Sequence, residues 1–238
     1  MKIFLDTADV ILIKPAYETG LLDGVTTNPS LILKSGRQLL EVIKEIESGF
    51  PTLQSISAEV VADTAEEMLT QAKQYYSIAP AVTIKVPCTV EGLKACKFLT
   101  DVGVQVNVTL VFSVAQAILA SKAGATFISP FVGRWMDNSI DGIELIKNIR
   151  KAFDYSGTHT QILAASIRDV RQVEQAALNG ADVVTIPPVV FWAMYKNILT
   201  DKGLDLFQKD WEEVLNSVRS EEHTSELQSP CNLVYRLL

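Results

Sequence analysis

Two histidines, His159 and His223, and three cysteines, Cys88, Cys96 and Cys231, are all that the 238 residues contain. Ser-His-Asp and Cys-His nucleophilic sites and most zinc sites are hard to assemble from so few, which leaves carboxylates and lysine to move protons. The cysteines show no CxxC pair and no metal-ligand spacing, so reduced, inert thiols and no bound metal are expected. No apolar run reaches membrane-spanning length. The N-terminal Met1-Lys2-Ile3-Phe4-Leu5-Asp6 lacks the charged region and long apolar stretch of a signal peptide. Basic residues are outnumbered, giving a formal charge of -7. That balance argues against a surface built for nucleic acid or anionic membrane, and any anionic substrate has to be met by local cations. The expectation is a soluble cytoplasmic protein.

At 48% hydrophobic, the chain is long enough to bury most of its apolar surface in one large domain. Eight short apolar runs read as strands: residues 3 to 6, 24 to 28, 55 to 60, 82 to 87, 104 to 110, 126 to 131, 161 to 166 and 182 to 187. A helix-like stretch follows each. Helix starts are marked by Asp9, Pro29-Ser30, Asp63-Thr64-Ala65-Glu66, Thr89-Val90-Glu91-Gly92, Ser113 and Asp169. Stops are marked by Gly20, Gly49, Gly103, Gly124 and Gly180. Eight alternating βα units predict a (β/α)8 TIM barrel with an extra C-terminal helix, and a doubly wound open sheet is the second choice.

The polar residues favour the barrel. Asp6, Asn28, Glu59, Lys85, Asn107 with Thr109, Ser129, and Ser166 with Arg168 sit near the carboxyl ends of seven successive strands, where barrel active sites are built. Pairs two residues apart share one strand face: Thr26 and Asn28, Ser57 and Glu59, Thr83 and Lys85, Asn107 and Thr109, Ser129 and Phe131, Ala164 and Ser166. The alternate positions Ile56, Ala58, Val60, Ile84, Val86, Val106, Val108 and Leu110 are apolar, as packing under an outer ring of helices requires. Toward the C-terminus, Phe207, Trp211, Val214, Leu215 and Val218 form one stripe at helical spacing, read as a packing face within the subunit or against a neighbour.

Lys85 carries the most chemistry. It lies inside the β-branched run Ala81-Val82-Thr83-Ile84-Lys85-Val86-Pro87, where an ammonium rarely belongs. Desolvation disfavours a charged amine, and a neutral lysine attacks carbonyls to form a Schiff base; a structural ion pair with a buried carboxylate is the plainer reading. An imine turns a ketone into an electron sink, so a neighbouring carbon-carbon bond can break once a base takes the far hydroxyl proton. Asp6 suits that base, or else caps the following helix. Glu59, with Thr109, can hold a water and shuttle protons, or simply pair with Lys85. Arg134 and Arg168, with Ser166, suit a phosphate.

From Arg219 onward the sequence changes character. Residues 219 to 238 resemble the conceptual translation of a sequencing-library adapter, so the expected domain is 1–218, including the terminal helix, and Cys231 and His223 are set aside.

Phe4-Leu5-Asp6-Thr7-Ala8, Gly24-Val25-Thr26-Thr27-Asn28-Pro29-Ser30, Ile84-Lys85-Val86-Pro87, Asn107-Val108-Thr109, Ser129-Pro130-Phe131-Val132-Gly133-Arg134 and Ala164-Ala165-Ser166-Ile167-Arg168 closely resemble the small transaldolases, which are class I aldolase-type barrels. The resemblance runs from Met1 to about Val218. It implies transfer of a dihydroxyacetone unit from fructose 6-phosphate or sedoheptulose 7-phosphate to an aldose phosphate, in the non-oxidative pentose phosphate pathway. By position, Lys85 would be the Schiff-base lysine, Asp6 the base, and Glu59 with Thr109 the water-holding pair. Asn28, Asn107 and Ser129 would hold the dihydroxyacetone hydroxyls, with Thr26 and Phe131 also in the substrate-binding set; Arg134, Ser166 and Arg168 would take the phosphate. No metal or organic cofactor is implied, and a homo-oligomer, pentamer or decamer, is.

Related fructose 6-phosphate aldolases release free dihydroxyacetone and usually carry Gln, Ala and Tyr where this chain has Glu59, Ser129 and Phe131, so the resemblance favours transfer over cleavage. Trp135-Met136 departs from the family's usual polar residues and is expected to alter the mouth of the site. A barrel that binds sugar phosphates without catalysis is a further alternative, which Lys85→Met discriminates.

Overall fold

A computed structural model describes residues 1–227, with side chains through Val218. Eight strands, β1 (Lys2–Asp6), β2 (Gly24–Thr26), β3 (Ser55–Glu59), β4 (Val82–Pro87), β5 (Val106–Val111), β6 (Phe127–Pro130), β7 (Gln161–Ala164) and β8 (Val183–Ile186), pair in parallel in that order and close into a barrel. The closing seam sets Lys2 beside Val183 and Leu5 beside Ile186. The expected (β/α)8 barrel is the observed fold, and the open sheet is excluded by closure.

Helices α1 (Val10–Glu18), α2 (Pro29–Ser35), α3 (Leu39–Gly49), α4 (Ala65–Tyr76), α5 (Val90–Asp101), α6 (Val114–Lys122), α7 (Val132–Met136), α8 (Gly142–Ser156), α9 (Val170–Leu178) and α10 (Pro188–Ala193) follow the strands. Their starts are chemical: Asp9, Asn28, Thr64, Thr89, Ser113 and Asp169 each accept a backbone N–H of the first turn, and Thr64 and Glu67 form a reciprocal capping box. Gly20, Gly103, Gly124 and Gly180 adopt the left-handed backbone expected at helix ends. Gly49 does not, being the last residue within α3.

Met1–Met194 form one compact unit, and a second begins at Tyr195. The second unit carries α11 (Ile198–Leu227), whose backbone continues past Val218 as helix and which bears Phe207, Trp211, Val214, Leu215 and Val218 at helical spacing. Cys231 lies outside the described residues.

Alternation along the strands divides the barrel's apolar residues into two separate clusters. Ile56, Ala58, Val60, Ile84, Val86, Val106 and Val108 join the large core between strands and helices, as expected. Phe4, Phe127, Leu163, Ala165 and Val183 form a second cluster on the opposite strand faces, inside the barrel, with Phe4 and Phe127 edge to face at 5.7 Å. Gly24 makes room for this cluster, since a Cβ there would stand 2.7 Å from the Phe4 ring. The interior is therefore lopsided: β1, β6, β7 and β8 supply most of its hydrocarbon, with Ser129 and Thr185 among them, while β2 to β5 fill it with Thr26, Ser57, Thr83, Lys85, Asn107 and Thr109, all buried.

Two expectations about strand faces fail. Ala164 points outward into the helix-facing core, and Leu163 and Ala165 point inward, so Ala164 and Ser166 are not a pair on one face. Leu110 is absent from the helix-facing core; its φ of 59° breaks the pleat after Thr109, next to an irregularity in the β5–β6 register. A left-handed residue rotates the chain out of strict alternation, which no hydropathy pattern records.

The amino ends of the strands are tied by one repeated device. Asp23 accepts the Ile3 N–H at 2.8 Å, Thr126 the Val106 N–H at 3.2 Å and Asp182 the Ile162 N–H at 2.7 Å. Each acceptor immediately precedes its strand and lies 20 residues after its donor. Asp182 also pairs with Arg150 at 3.3 Å. Asp182→Ala should cost about 1–3 kcal/mol, because it strands a backbone N–H, whereas Asp182→Asn, which keeps an acceptor, should cost under ~1 kcal/mol. Urea unfolding of both variants tests this, and equal losses would assign the effect to the ion pair instead.

Candidate active site

A cavity of about 400 Å³ opens at the carboxyl ends of the strands, the end at which barrel enzymes work. Of the residues expected from the sequence, Asp6, Thr26, Asn28, Glu59, Lys85, Thr109, Phe131, Arg134 and Ser166 line it. Asn107, Ser129 and Arg168 do not. Asn107 and Ser129 are buried, with Asn107 in register with Lys85 and its Oδ1 accepting the Ser129 hydroxyl at 2.7 Å.

Lys85 is 6% exposed. Its Nζ lies 2.8 Å from Glu59 Oε2 on the adjacent strand, and it also donates to the Thr27 carbonyl at 3.4 Å. Register pairing of Glu59 with Lys85 makes this contact a product of the sheet itself. Across the cavity floor, Asp6 Oδ1 accepts the Thr26 hydroxyl at 2.8 Å, and Thr26 is in turn 2.5 Å from the Thr185 hydroxyl. The helix-capping alternative for Asp6 is excluded, because Asp9 occupies that position. Burial pushes the Asp6 carboxyl above its ordinary value; the Thr26 hydrogen bond and the Lys85 charge pull it partly back, and the Glu59 charge pushes it up again. A carboxylate so placed is a better base than a solvated one.

Three buried polar atoms on β3 and β5 have no hydrogen-bond partner: Ser57 Oγ, Asn107 Nδ2 and Thr109 Oγ1. Leaving such groups unpaired costs roughly 1–3 kcal/mol each, which a bound polar ligand or water would recover. The thiols are different in kind. Burial pushes Cys96 up to about 12 and raises Cys88 as well, so neither is poised as a nucleophile.

The anion-binding trio assembles only in part. Arg134 stands 4.8 Å over the Phe131 ring, which in turn packs against Phe112 at 5.7 Å. Ser166 enters the cavity through a left-handed turn, φ 61°, rather than through strand alternation. The Arg168 guanidinium pairs with Asp137 instead of lining the wall. Gly133 lets the two segments meet: a Cβ there would fall 2.0 Å from the Ser166 carbonyl oxygen and 3.0 Å from Arg168 Nε. Trp135 and Met136 are not on the cavity wall, Met136 Sδ accepting from Gln172 at 3.3 Å. Sequence reasoning missed Ser30, Lys34, Leu110 and Thr185, which the cavity wall includes.

A buried lysine paired with one carboxylate, a second carboxylate held as a base and an open polar cavity form a unit suited to imine chemistry. Comparison with known proteins agrees. Residues 3–218 match the family described as Transaldolase/Fructose-6-phosphate aldolase. The chain belongs to this family. Among its curated relatives, a protein of Paracoccus denitrificans named "Probable transaldolase" is 56% identical over 211 residues, 89% of this chain and 96% of that one. Proteins given the same name in Chelativorans sp. and Caulobacter vibrioides are 57% and 54% identical over the same shares of both chains. Both reactions in the family's title act on sugar phosphates, and the membership makes this chain an enzyme. Among the described residues no helix is long and apolar enough to cross a membrane.

The raised Asp6 value has a sign that can be measured. The folded protein holds this proton to higher pH than the unfolded chain does, so stability falls as pH rises from the ordinary value of 3.8 through the folded one, and the penalty is complete only above the folded value. Asp6→Asn removes that charge while keeping an acceptor for Thr26. The variant should resist urea better than the parent at pH 7, with the gap closing toward pH 4, and should lose about 10²-fold or more in turnover. A variant no more stable than the parent at pH 7 would mean that Thr26 and Lys85 fully offset the buried charge.

Proposed function

We propose that the chain is a transaldolase that moves a dihydroxyacetone unit from a ketose phosphate, sedoheptulose 7-phosphate or fructose 6-phosphate, to an aldose phosphate through an imine at Lys85. The observation that carries this reading is the 2.8 Å contact of a buried ammonium with Glu59 inside a family that works on sugar phosphates. Glu59 takes the proton from Lys85, whose free amine adds to the ketose carbonyl. The same carboxyl then returns a proton to the departing hydroxyl, so that water leaves and the iminium forms. Asp6 removes the proton from the hydroxyl on the far carbon of the bond to be broken. That bond's electrons flow into the iminium to give an enamine, and an aldose phosphate leaves. The enamine carbon next attacks the acceptor aldehyde, Asp6 gives its proton to the new alkoxide, and water held between Glu59 and Thr109 hydrolyses the imine.

Thr109 Oγ1 and Asn107 Nδ2 are the unpartnered groups that this scheme satisfies, by a water and by a dihydroxyacetone hydroxyl. Ser129 supports Asn107, and Asn28, whose Oδ1 already caps α2, offers its amide nitrogen to a second hydroxyl. Arg134 and Ser166 face the phosphate, with Arg168 held beside them on Asp137.

Transfer is favoured over cleavage by the names of the relatives and by Phe131 on the cavity wall. Phe131 has no hydroxyl with which to position a water that would protonate the enamine, so the bound unit waits for an acceptor. A cytoplasmic enzyme of the pentose phosphate pathway fits these substrates, and the apolar stripe of α11 supports a homo-oligomer, a pentamer or decamer by family resemblance.

Glyceraldehyde 3-phosphate release from fructose 6-phosphate, followed with and without erythrose 4-phosphate, tests the reading. Sustained release should require the acceptor; equal release without it would make the protein an aldolase. Lys85→Met should abolish both turnover and trapping of substrate by borohydride, and Glu59→Gln should lower kcat by about 10²- to 10⁴-fold.

A further inference from the structure

Arg168 and Arg134 were expected to share the substrate's phosphate, yet Arg168 is paired with Asp137 off the cavity wall. The cations that line the cavity are Lys85, Arg134 and Lys34. Lys85 is taken by Glu59. Lys34 is exposed, lies in the last turn of α2, and has no ion pair among those formed by the described residues.

Topology fixes where these two cations stand. α2 follows β2, and α7, which carries Arg134, follows β6. In a closed ring of eight strands these are four apart, and so diametrically opposed. Lys34 and Arg134 therefore reach one cavity from opposite sides of its mouth, above a lysine on β4 roughly midway round the ring between them. A sugar chain anchored by its carbonyl at Lys85 extends toward that mouth with its phosphate leading. On a protein of net charge -7, two opposed cations are where a dianion finds compensation.

We infer that Lys34 is a second phosphate-contacting cation that, opposite Arg134, sets the preference for phosphorylated over unphosphorylated aldehydes. This rests on the transferase reading above. A lysine acts as a point charge on a flexible stem, so it follows a phosphate that enters and leaves with each half-reaction, whereas the planar guanidinium of Arg134, stacked on Phe131, holds direction. α2 suits a movable contact, since none of its residues is buried and it ends at the left-handed Gly36.

The test compares unmodified enzyme, Lys34→Gln and Lys34→Arg with fructose 6-phosphate as saturating donor and either erythrose 4-phosphate or erythrose as acceptor. The expected result is a fall of roughly tenfold in the preference for erythrose 4-phosphate in Lys34→Gln, carried by KM and largely restored in Lys34→Arg. An unaltered preference, with both acceptors affected alike or not at all, overturns the inference. Calorimetric titration of inorganic phosphate into the same three proteins reads Lys34 without any turnover: weaker binding to Lys34→Gln supports the contact and equal binding refutes it. Absence of turnover in the unmodified enzyme would instead overturn the transferase reading and leave the titration to decide on Lys34.

Discussion

A charged amine held inside a β-barrel is the constraint to which the rest of this molecule answers. Removing an ammonium and a carboxylate from water costs several kcal/mol per ion, by about as much as a small domain's whole margin of stability, unless partners compensate. Lys85 and Glu59 compensate each other at 2.8 Å because their strands are neighbours in register. The hydroxyls and amides of β2 to β5 provide a polar half-interior around the pair, and the aromatic and aliphatic side chains of Phe4, Phe127, Leu163 and Val183 exclude water from the other half. A barrel filled evenly with hydrocarbon would be more stable and would have nowhere to put the amine.

Asp6 and Glu59 are compensated by different partners. Asp6 projects from β1 and relies on the Thr26 hydroxyl for its direct contact, where Glu59 has an ammonium. Two carboxylates that each end a strand thereby acquire different surroundings and different tasks, one held against its ion partner for proton shuttling and one driven toward basicity by burial.

Much of this was legible in the sequence because strand alternation and helix capping are local. Thr83 and Lys85, Ser57 and Glu59, and Asn107 and Thr109 announce one inward face each by period two, and Asp9, Thr64, Thr89, Ser113 and Asp169 cap the helices they were expected to cap. The failures are non-local or conformational. Nothing in the residue types of Leu110 or Ser166 reveals a positive φ, since leucine and serine usually avoid it, so Leu110 was assigned to the wrong side of its strand and Ala164 was paired with Ser166. Arg168 looked free for phosphate because its partner, Asp137, is 31 residues away. Lys34 was overlooked for the opposite reason: on a seven-residue helix with no fully buried residue, an exposed lysine carries no pattern at all.

The three clasps at the amino ends of the strands join residues separated by 20 positions, and this spacing bears on how the barrel comes together. Closing a loop of that length costs little chain entropy, so adjacent βα units can find their register by short searches. Only the seam between β1 and β8 requires the two ends of the barrel sequence to meet. Loop closure therefore costs the least chain entropy between neighbouring units and the most at this seam, the contact that completes the enclosure around Lys85.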